Sequence, residues 1–142
     1  MVLVDTPVWS LSLRRRAVDL SPQEREITRS LYELIGRNEA QILGLTRQEV
    51  LSGIREDSQF QRIRDHLRDF KNVELESADY EDAAEFRNKC RRYGIAGSTV
   101  DVLLCATSLR REWEIFTTDH DFVHYSRIAP LRLFHLSMSG PA

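Results

Sequence analysis

Five acidic side chains stand out by where they fall in the chain: Asp5, Glu49, Asp101, Asp119 and Asp121. Asp5 closes the apolar run "MVLV", Asp119 follows "EIFTT" with Asp121 two residues on, and Glu49 and Asp101 fall in the expected first turns of two helices. Carboxylate oxygens are hard ligands suited to Mg2+ or Mn2+, which take one or two protein carboxylates and keep positions for water and substrate phosphate. Each acid also has a plainer use. Glu49 follows Thr46, and Asp101 follows Ser98, at the three-residue spacing of a capping box, a contact that contributes about 1 kcal/mol. Asp119 and Asp121 suit an Asx turn, and Asp5 could cap the following helix in place of Thr6. Gathered in one place, however, the acids are costly. Two full charges roughly 5 Å apart repel by about 3 kcal/mol at an effective dielectric near 20, more than a cap returns. A dication reverses that sign.

The acids matter together only if the fold gathers them, and the hydrophobic pattern predicts how. "MVLV" reads as a buried strand, after which Thr6 and Pro7 open a short helix through "VWSLSLRRR". Ser21, Pro22 and Glu24 repeat the start signal for a helix carrying Ile27, Leu31, Leu34 and Ile35 and stopping at Gly36. "AQILGLT" reads as a second buried strand, followed by a helix opened by Thr46. Phe60, Ile63, Leu67 and Phe70 mark another helix, and "NVELES" a further short strand. Ala83, Phe86, Cys90 and Tyr93 line a helix from Asp79 to Gly94; Ser98 then caps one carrying Val100, Leu103, Leu104 and Ala106. "EIFTT" and "LRLFHL" are the last strands.

Strands alternating with helices, apolar on both faces, predict a parallel sheet between two helical layers. The expected architecture is one α/β domain over residues 1–136, a three-layer sandwich on a mainly parallel sheet of about four or five strands, with a frayed tail at 137–142. Ligands bind such sheets beyond the carboxyl ends of the strands. Asp5, Glu49 and Asp119 should therefore meet at that edge, and Asp101 with them if its helix starts there.

Composition narrows the function classes. A chain of 142 residues suits a single core, and 42% apolar with 30% charged residues describes an ordinary globule rather than disorder. No apolar run approaches the roughly 20 residues of a membrane span, and "MVLVD" meets an acid too early for a secretory leader. Cys90 and Cys105 lack the C-x-x-C spacing of a metal or redox motif. They read as buried thiols of a cytoplasmic protein. The formal charge of −2 lacks the basic excess of a protein that holds nucleic acid by bulk attraction. Contact with a polynucleotide would have to be local or metal-assisted.

With the acids placed, the sequence resembles the PIN-domain family and, within it, the VapC-type toxins. "VDTPVW", "EVLSG", "DVLLCAT" and "TTDHDF" resemble its four motifs in order, covering nearly the whole chain and carrying Asp5, Glu49, Asp101 and Asp119 onto the metal-holding acids. Asp121 is the auxiliary acid, and Thr6 and Thr118 are candidates to hydrogen-bond the ligating carboxylates. Two positions depart from the pattern. Pro7 stands where relatives often carry a small polar residue, and Cys105 where they often carry a small apolar one. The resemblance implies a cytoplasmic Mg2+- or Mn2+-dependent endoribonuclease that hydrolyses RNA phosphodiesters with metal-activated water. It also implies an antitoxin partner and a homodimer. The alternatives are a housekeeping RNA-processing nuclease of the same fold and a non-catalytic PIN binding module.

Other residues carry less. His120 lies between two acids, but a strand end can aim its ring away from theirs. Arg14, Arg15 and Arg16 read as a solvated face, and Arg91, Arg92, Arg110 and Arg111 as cations complementing helix dipoles. Trp9 and Trp113 read as core or interface aromatics, and "GIAGS" as a turn into a capped helix. A phosphoaspartate receiver would want paired acids after the first strand and a lysine near the last, yet the only lysines are Lys71 and Lys89. A haloacid-dehalogenase-type phosphatase would want a second aspartate where Pro7 stands.

Overall fold

The computed structural model describes residues 1–136, so the tail expected at 137–142 lies outside the described residues. The chain runs β1 (Val2–Val4), α1 (Thr6–Arg14), α2 (Pro22–Gly36), β2 (Ala40–Gln41), α3 (Gly44–Ser52), α4 (Asp57–Leu67), α5 (Ser77–Arg92), α6 (Thr99–Arg111), β3 (Glu114–Phe116), α7 (Asp121–Ser126) and β4 (Arg132–Leu133). The four strands form one sheet in the order β2-β1-β3-β4, and every pairing is parallel. From β1 the chain first adds β2 on one side and later β3 on the other. Ligands of open α/β sheets settle where strand order reverses in this way.

Strand alternation explains why "VLV" is apolar throughout. Val2, Val4 and Phe116 face one cluster with Val8, Trp9, Leu31, Leu34, Val50 and Ile63 from α1 to α4. Leu3 and Ile115 point the other way, onto Phe86, Leu103, Leu104 and Phe122 from α5 to α7. Both faces of the sheet are covered, the arrangement that parallel sheets require. Trp9 is a core residue: it is fully buried, and its indole N–H donates to the Val4 carbonyl at 3.2 Å. Trp113 packs at the edge of the second cluster with the Arg111 guanidinium over its ring. Arg110 and Arg111 do more than complement a dipole. Both ion-pair with the fully buried Asp79, at 3.0 and 2.7 Å, and so fasten α5 to α6.

Two expectations are corrected. "NVELES" contributes a single bridge, Asn72 to Ile42, before the chain enters α5, where the Glu76 N–H donates to Asp79 Oδ2 at 2.8 Å. The helix expected to open at Thr46 starts at Gly44, with Leu43 at the N-cap and no side-chain cap. The strand ends at Gln41, with one further bridge at Ile42, well before the run "AQILGLT" does, so the backbone turns helical before Thr46 is reached. The Ser21 signal is realised in full: the Glu24 N–H donates to Ser21 Oγ at 3.1 Å, and the Ser21 N–H to Glu24 Oε1 at 3.0 Å. No helix among the described residues is long and apolar enough to cross a membrane.

Candidate metal centre

Register builds the first corner of the site. Val4 pairs with Phe116, and the Asp5 N–H donates to the Phe116 carbonyl at 2.9 Å, so the bonding to β3 continues one residue beyond the end of β1. Asp5 then becomes the N-cap of α1. Its Oδ1 accepts the Thr6 N–H at 2.8 Å, and its Oδ2 accepts the Thr117 hydroxyl at 2.7 Å. The cap is therefore Asp5, not Thr6, whose own hydroxyl is buried without a hydrogen-bond partner. Asp5 is 2% exposed. Burial pushes its carboxyl up to about 6, against the two hydrogen bonds and with the nearby charges of Asp101 and Glu49.

Asp101 sits in the first turn of α6, placed there by its N–H donating to the Ser98 hydroxyl at 3.1 Å. A close approach sets the entry to this helix, since a Cβ at Gly97 would lie 2.7 Å from Val102 Cγ1. Only the Ser98 half of the expected box forms. Oδ2 of Asp101 instead accepts the Tyr125 hydroxyl at 2.8 Å. Burial raises the Asp101 carboxyl above the usual range, and the charges of Asp119 and Glu49 add to it.

Asp119 Oδ1 accepts the Asp121 N–H at 2.9 Å, an Asx turn that leads into α7. The turn and a ligand role do not exclude one another, because a carboxylate has acceptor positions to spare. Asp101, Asp119 and Asp121 each offer one oxygen, and these oxygens lie within 4.8 Å of one another. Opposed oxygens around Mg2+ stand roughly 4.2 Å apart, so the three oxygens lie at a separation that a single dication can span. The donor set, all carboxylate oxygen, fits a hard dication. Asp121, expected as an auxiliary acid, belongs to the tightest group. Asp5 and Glu49 stand outside it but within electrostatic reach: the charges of Asp101 and Glu49 act on Asp5, and those of Asp119 and Glu49 act on Asp101.

Glu49 lies exposed in the middle of α3 rather than in a capping box, because Thr46 is not the cap. The capping role is thereby removed, and Glu49 stands as a solvent-facing acid on α3. Thr118 is exposed, and the hydroxyl that reaches Asp5 belongs to its neighbour Thr117, the first residue of the T-x-D pattern at 117–119. Tyr125 is the second residue the sequence does not flag; nothing local ties it to Asp101, 24 positions earlier. His120 is exposed and outside the tight carboxylate group. Cys105 is buried one helical turn from Asp101, and burial, with the nearby charges, holds its thiol well above the usual range. It is a protonated packing residue. Arg14, Arg15 and Arg16 are exposed, with Arg15 paired to Glu24 at 3.0 Å.

A family model described as PIN domain matches residues 2–128. Among solved structures, a chain of FitAcB from Neisseria gonorrhoeae aligns with a TM-score of 0.74 at 17% identity, covering 95% of this chain and 97% of that one. VapBC2 from Rickettsia felis, bound to a DNA fragment from its promoter, aligns with a TM-score of 0.69 at 15% identity, covering 94% and 98%. VapBC-5 from Mycobacterium tuberculosis, a member of the VapBC family of toxin-antitoxin systems, aligns with a TM-score of 0.64 at 14% identity, covering 93% and 95%. At such identities the likeness shows a shared fold. A search of curated proteins by sequence found no match.

Proposed function

The chain belongs to the PIN domain family, and on that premise we propose that it is a divalent-metal-dependent endoribonuclease, the toxin of a toxin–antitoxin pair. The observation that carries the reading is the gathering of Asp5, Glu49, Asp101, Asp119 and Asp121 at the carboxyl edge of a parallel sheet. A fold gains nothing from such a cluster unless a cation offsets the repulsion.

Asp101, Asp119 and Asp121 would hold Mg2+ or Mn2+, with Asp5 and Glu49 completing the site. When bound, the ion supplies Lewis acidity and a lowered pKa for water. The chain's own contribution is placement. Thr117 and the Thr6 amide fix the buried Asp5 carboxylate, and the Asx turn fixes Asp119 against Asp121. Glu49 and Asp121 are exposed, so the site opens to solvent and a strand of RNA can approach. Asp121 would orient the attacking water. With a net charge of −2 the protein has no bulk attraction for a polyanion, and the cation is what makes the acidic hollow a phosphate site. In the same reading the chain has a cognate antitoxin, a partnership that the toxin–antitoxin context of the structural neighbours supports; the antitoxin covers this hollow, and the active form is a homodimer.

The test is purified protein on total cellular RNA with Mg2+, with Mn2+ and with EDTA, beside an Asp5→Asn control, with the cleaved ends sequenced. Cleavage at a restricted set of sites, lost in EDTA and in the control, is expected. Activity no greater than the control in either metal would overturn the nuclease. Induced expression should also arrest growth, and the product of a small adjacent gene should relieve it. Cleavage without arrest would leave a housekeeping nuclease.

A further inference from the structure

We propose that Tyr125 is a positioning residue of the acidic site: its hydroxyl holds one oxygen of Asp101 so that Asp101, Asp119 and Asp121 stay at the spacing a hard dication needs. The inference rests on the metal-dependent reading above and names a residue that this reading does not otherwise contain.

The argument begins with the ring. Tyr125 is fully buried, edge-on to Phe122 with centroids 5.1 Å apart and to Phe86 at 6.1 Å. A ring locked this way cannot swing aside without opening the core, so its hydroxyl is a fixed point. That hydroxyl lies 2.8 Å from Asp101 Oδ2 and 3.5 Å from the Ala96 carbonyl. A phenol has one proton to donate, and both distance and charge assign it to the carboxylate. A buried phenol in need of any acceptor already has the Ala96 carbonyl beside it.

The placement of Tyr125 on α7 extends its effect. It stands four residues after Asp121 in the same short helix, so the two side chains share a face. The start of that helix is tied to Asp119 through the Asp121 N–H, and its last turn is tied to Asp101 through Tyr125. Two hydrogen bonds thus frame three carboxylates contributed by two separate segments. Without the hydroxyl, Asp101 is free to rotate away from Asp119, and mutual repulsion drives it to do so. The bond uses one acceptor position of the carboxylate and leaves others for a cation. Partners of this kind behind metal ligands typically contribute a factor of about 10–100 in metal affinity.

Tyr125→Phe keeps the ring and removes only the hydroxyl. Mn2+ is titrated calorimetrically into wild type, Tyr125→Phe and Ser126→Ala, the last a control that removes a hydroxyl bonded to the Phe122 carbonyl within the same helix. Melting curves in EDTA establish that all three are folded. The expected result is a Mn2+ dissociation constant raised about 10-fold or more in Tyr125→Phe and unchanged in Ser126→Ala. RNA cleavage by Tyr125→Phe should recover toward the wild-type kcat as Mn2+ is raised, a recovery that general loss of stability does not give. Wild-type Mn2+ affinity in Tyr125→Phe overturns the positioning role and leaves the nuclease reading standing. Absence of Mn2+ binding by the wild type overturns both.

Discussion

Thr117 and Asp5 are 112 residues apart in the chain, yet the hydroxyl of the first donates to Oδ2 of the second across 2.7 Å. The same hydroxyl oxygen accepts the Asp119 N–H at 3.0 Å, so one threonine orients two acids on neighbouring strand ends. Thr117→Val retains the β-branched shape and breaks both contacts. Metal affinity should fall about 10–100-fold, and stability by about 1–2 kcal/mol. The Asp5 carboxyl should move further up, because the Thr117 bond is the largest influence lowering it. Mn2+ titration, urea denaturation and NMR titration of the carboxyl read the three effects; an unmoved Asp5 titration would count against the contact.

Asp5 makes the metal-free protein sensitive to pH. Its carboxyl is raised from 3.8 to about 6 in the fold. Below about pH 4 folded and unfolded chains both hold the proton, and the group contributes nothing. As the pH climbs from about 4 through 6 the unfolded chain ionises first, and the fold loses about 3 kcal/mol in full. Asp5→Asn removes that loss, offset by one hydrogen bond that the amide cannot accept. In EDTA at pH 8 the variant should be more stable by about 1–2 kcal/mol, which is roughly 3–6 °C in melting temperature, and as the pH falls toward 4 the difference should vanish and then reverse by the cost of the lost hydrogen bond. The same variant should cleave no RNA. Equal melting of the two proteins in EDTA at pH 8 would remove the argument for a crowded site.

Asp79 has the opposite sign. Two arginines and the Glu76 N–H hold its fully buried carboxylate down at about 2, with the Arg111 bond foremost. This stability is present above about pH 4 and lost as the pH falls through 2. Asp79→Asn leaves Arg110 and Arg111 without their buried partner and should cost roughly 3 kcal/mol at pH 7. Urea denaturation should show that cost shrinking between pH 4 and pH 2; a constant difference would place the effect in packing instead.

Arg47 is half-buried, and all three of its guanidinium nitrogens donate hydrogen bonds. Its Nε donates to Asn72 Oδ1 at 2.8 Å, Nη1 to the Leu67 carbonyl at 2.7 Å, and Nη2 to the Phe70 carbonyl. The side chain fastens α3, which carries Glu49, to the end of α4. Arg47→Met should lower stability by about 2–3 kcal/mol by stranding those acceptors. Arg47→Lys should recover little of it, since an ammonium cannot reproduce the planar fork. Thermal melts of the two variants decide this.

Much of the fold is legible in the sequence because local chemistry and global packing agree there. The uninterrupted "VLV" needs cover on both faces, and Val2, Leu3 and Val4 receive it from opposite helical layers. Ser21-Pro22-x-Glu24 starts a helix where the chain is free to follow the cap. Thr46-x-x-Glu49 has the same spacing and fails, because the sheet releases the backbone at Leu43 and the helix is under way before the threonine arrives. A cap signal competes with the tertiary position of the preceding strand, and the strand wins.

The sequence by itself singled out the acids and their places after strands or near helix starts, and hence the edge of the sheet where Asp5, Glu49 and Asp119 should meet, with Asp101 joining them only if its helix starts there. Only the tertiary structure decided which neighbours steady them. Thr117 rather than Thr118 reaches Asp5 because β1 and β3 pair in a register that sets Val4 beside Phe116. Tyr125 reaches Asp101 because α7 packs its buried ring toward the start of α6. Both bonds join segments distant in the chain, and a hydrogen bond needs its partners within a few tenths of an ångström, a precision that spacing along a sequence does not encode.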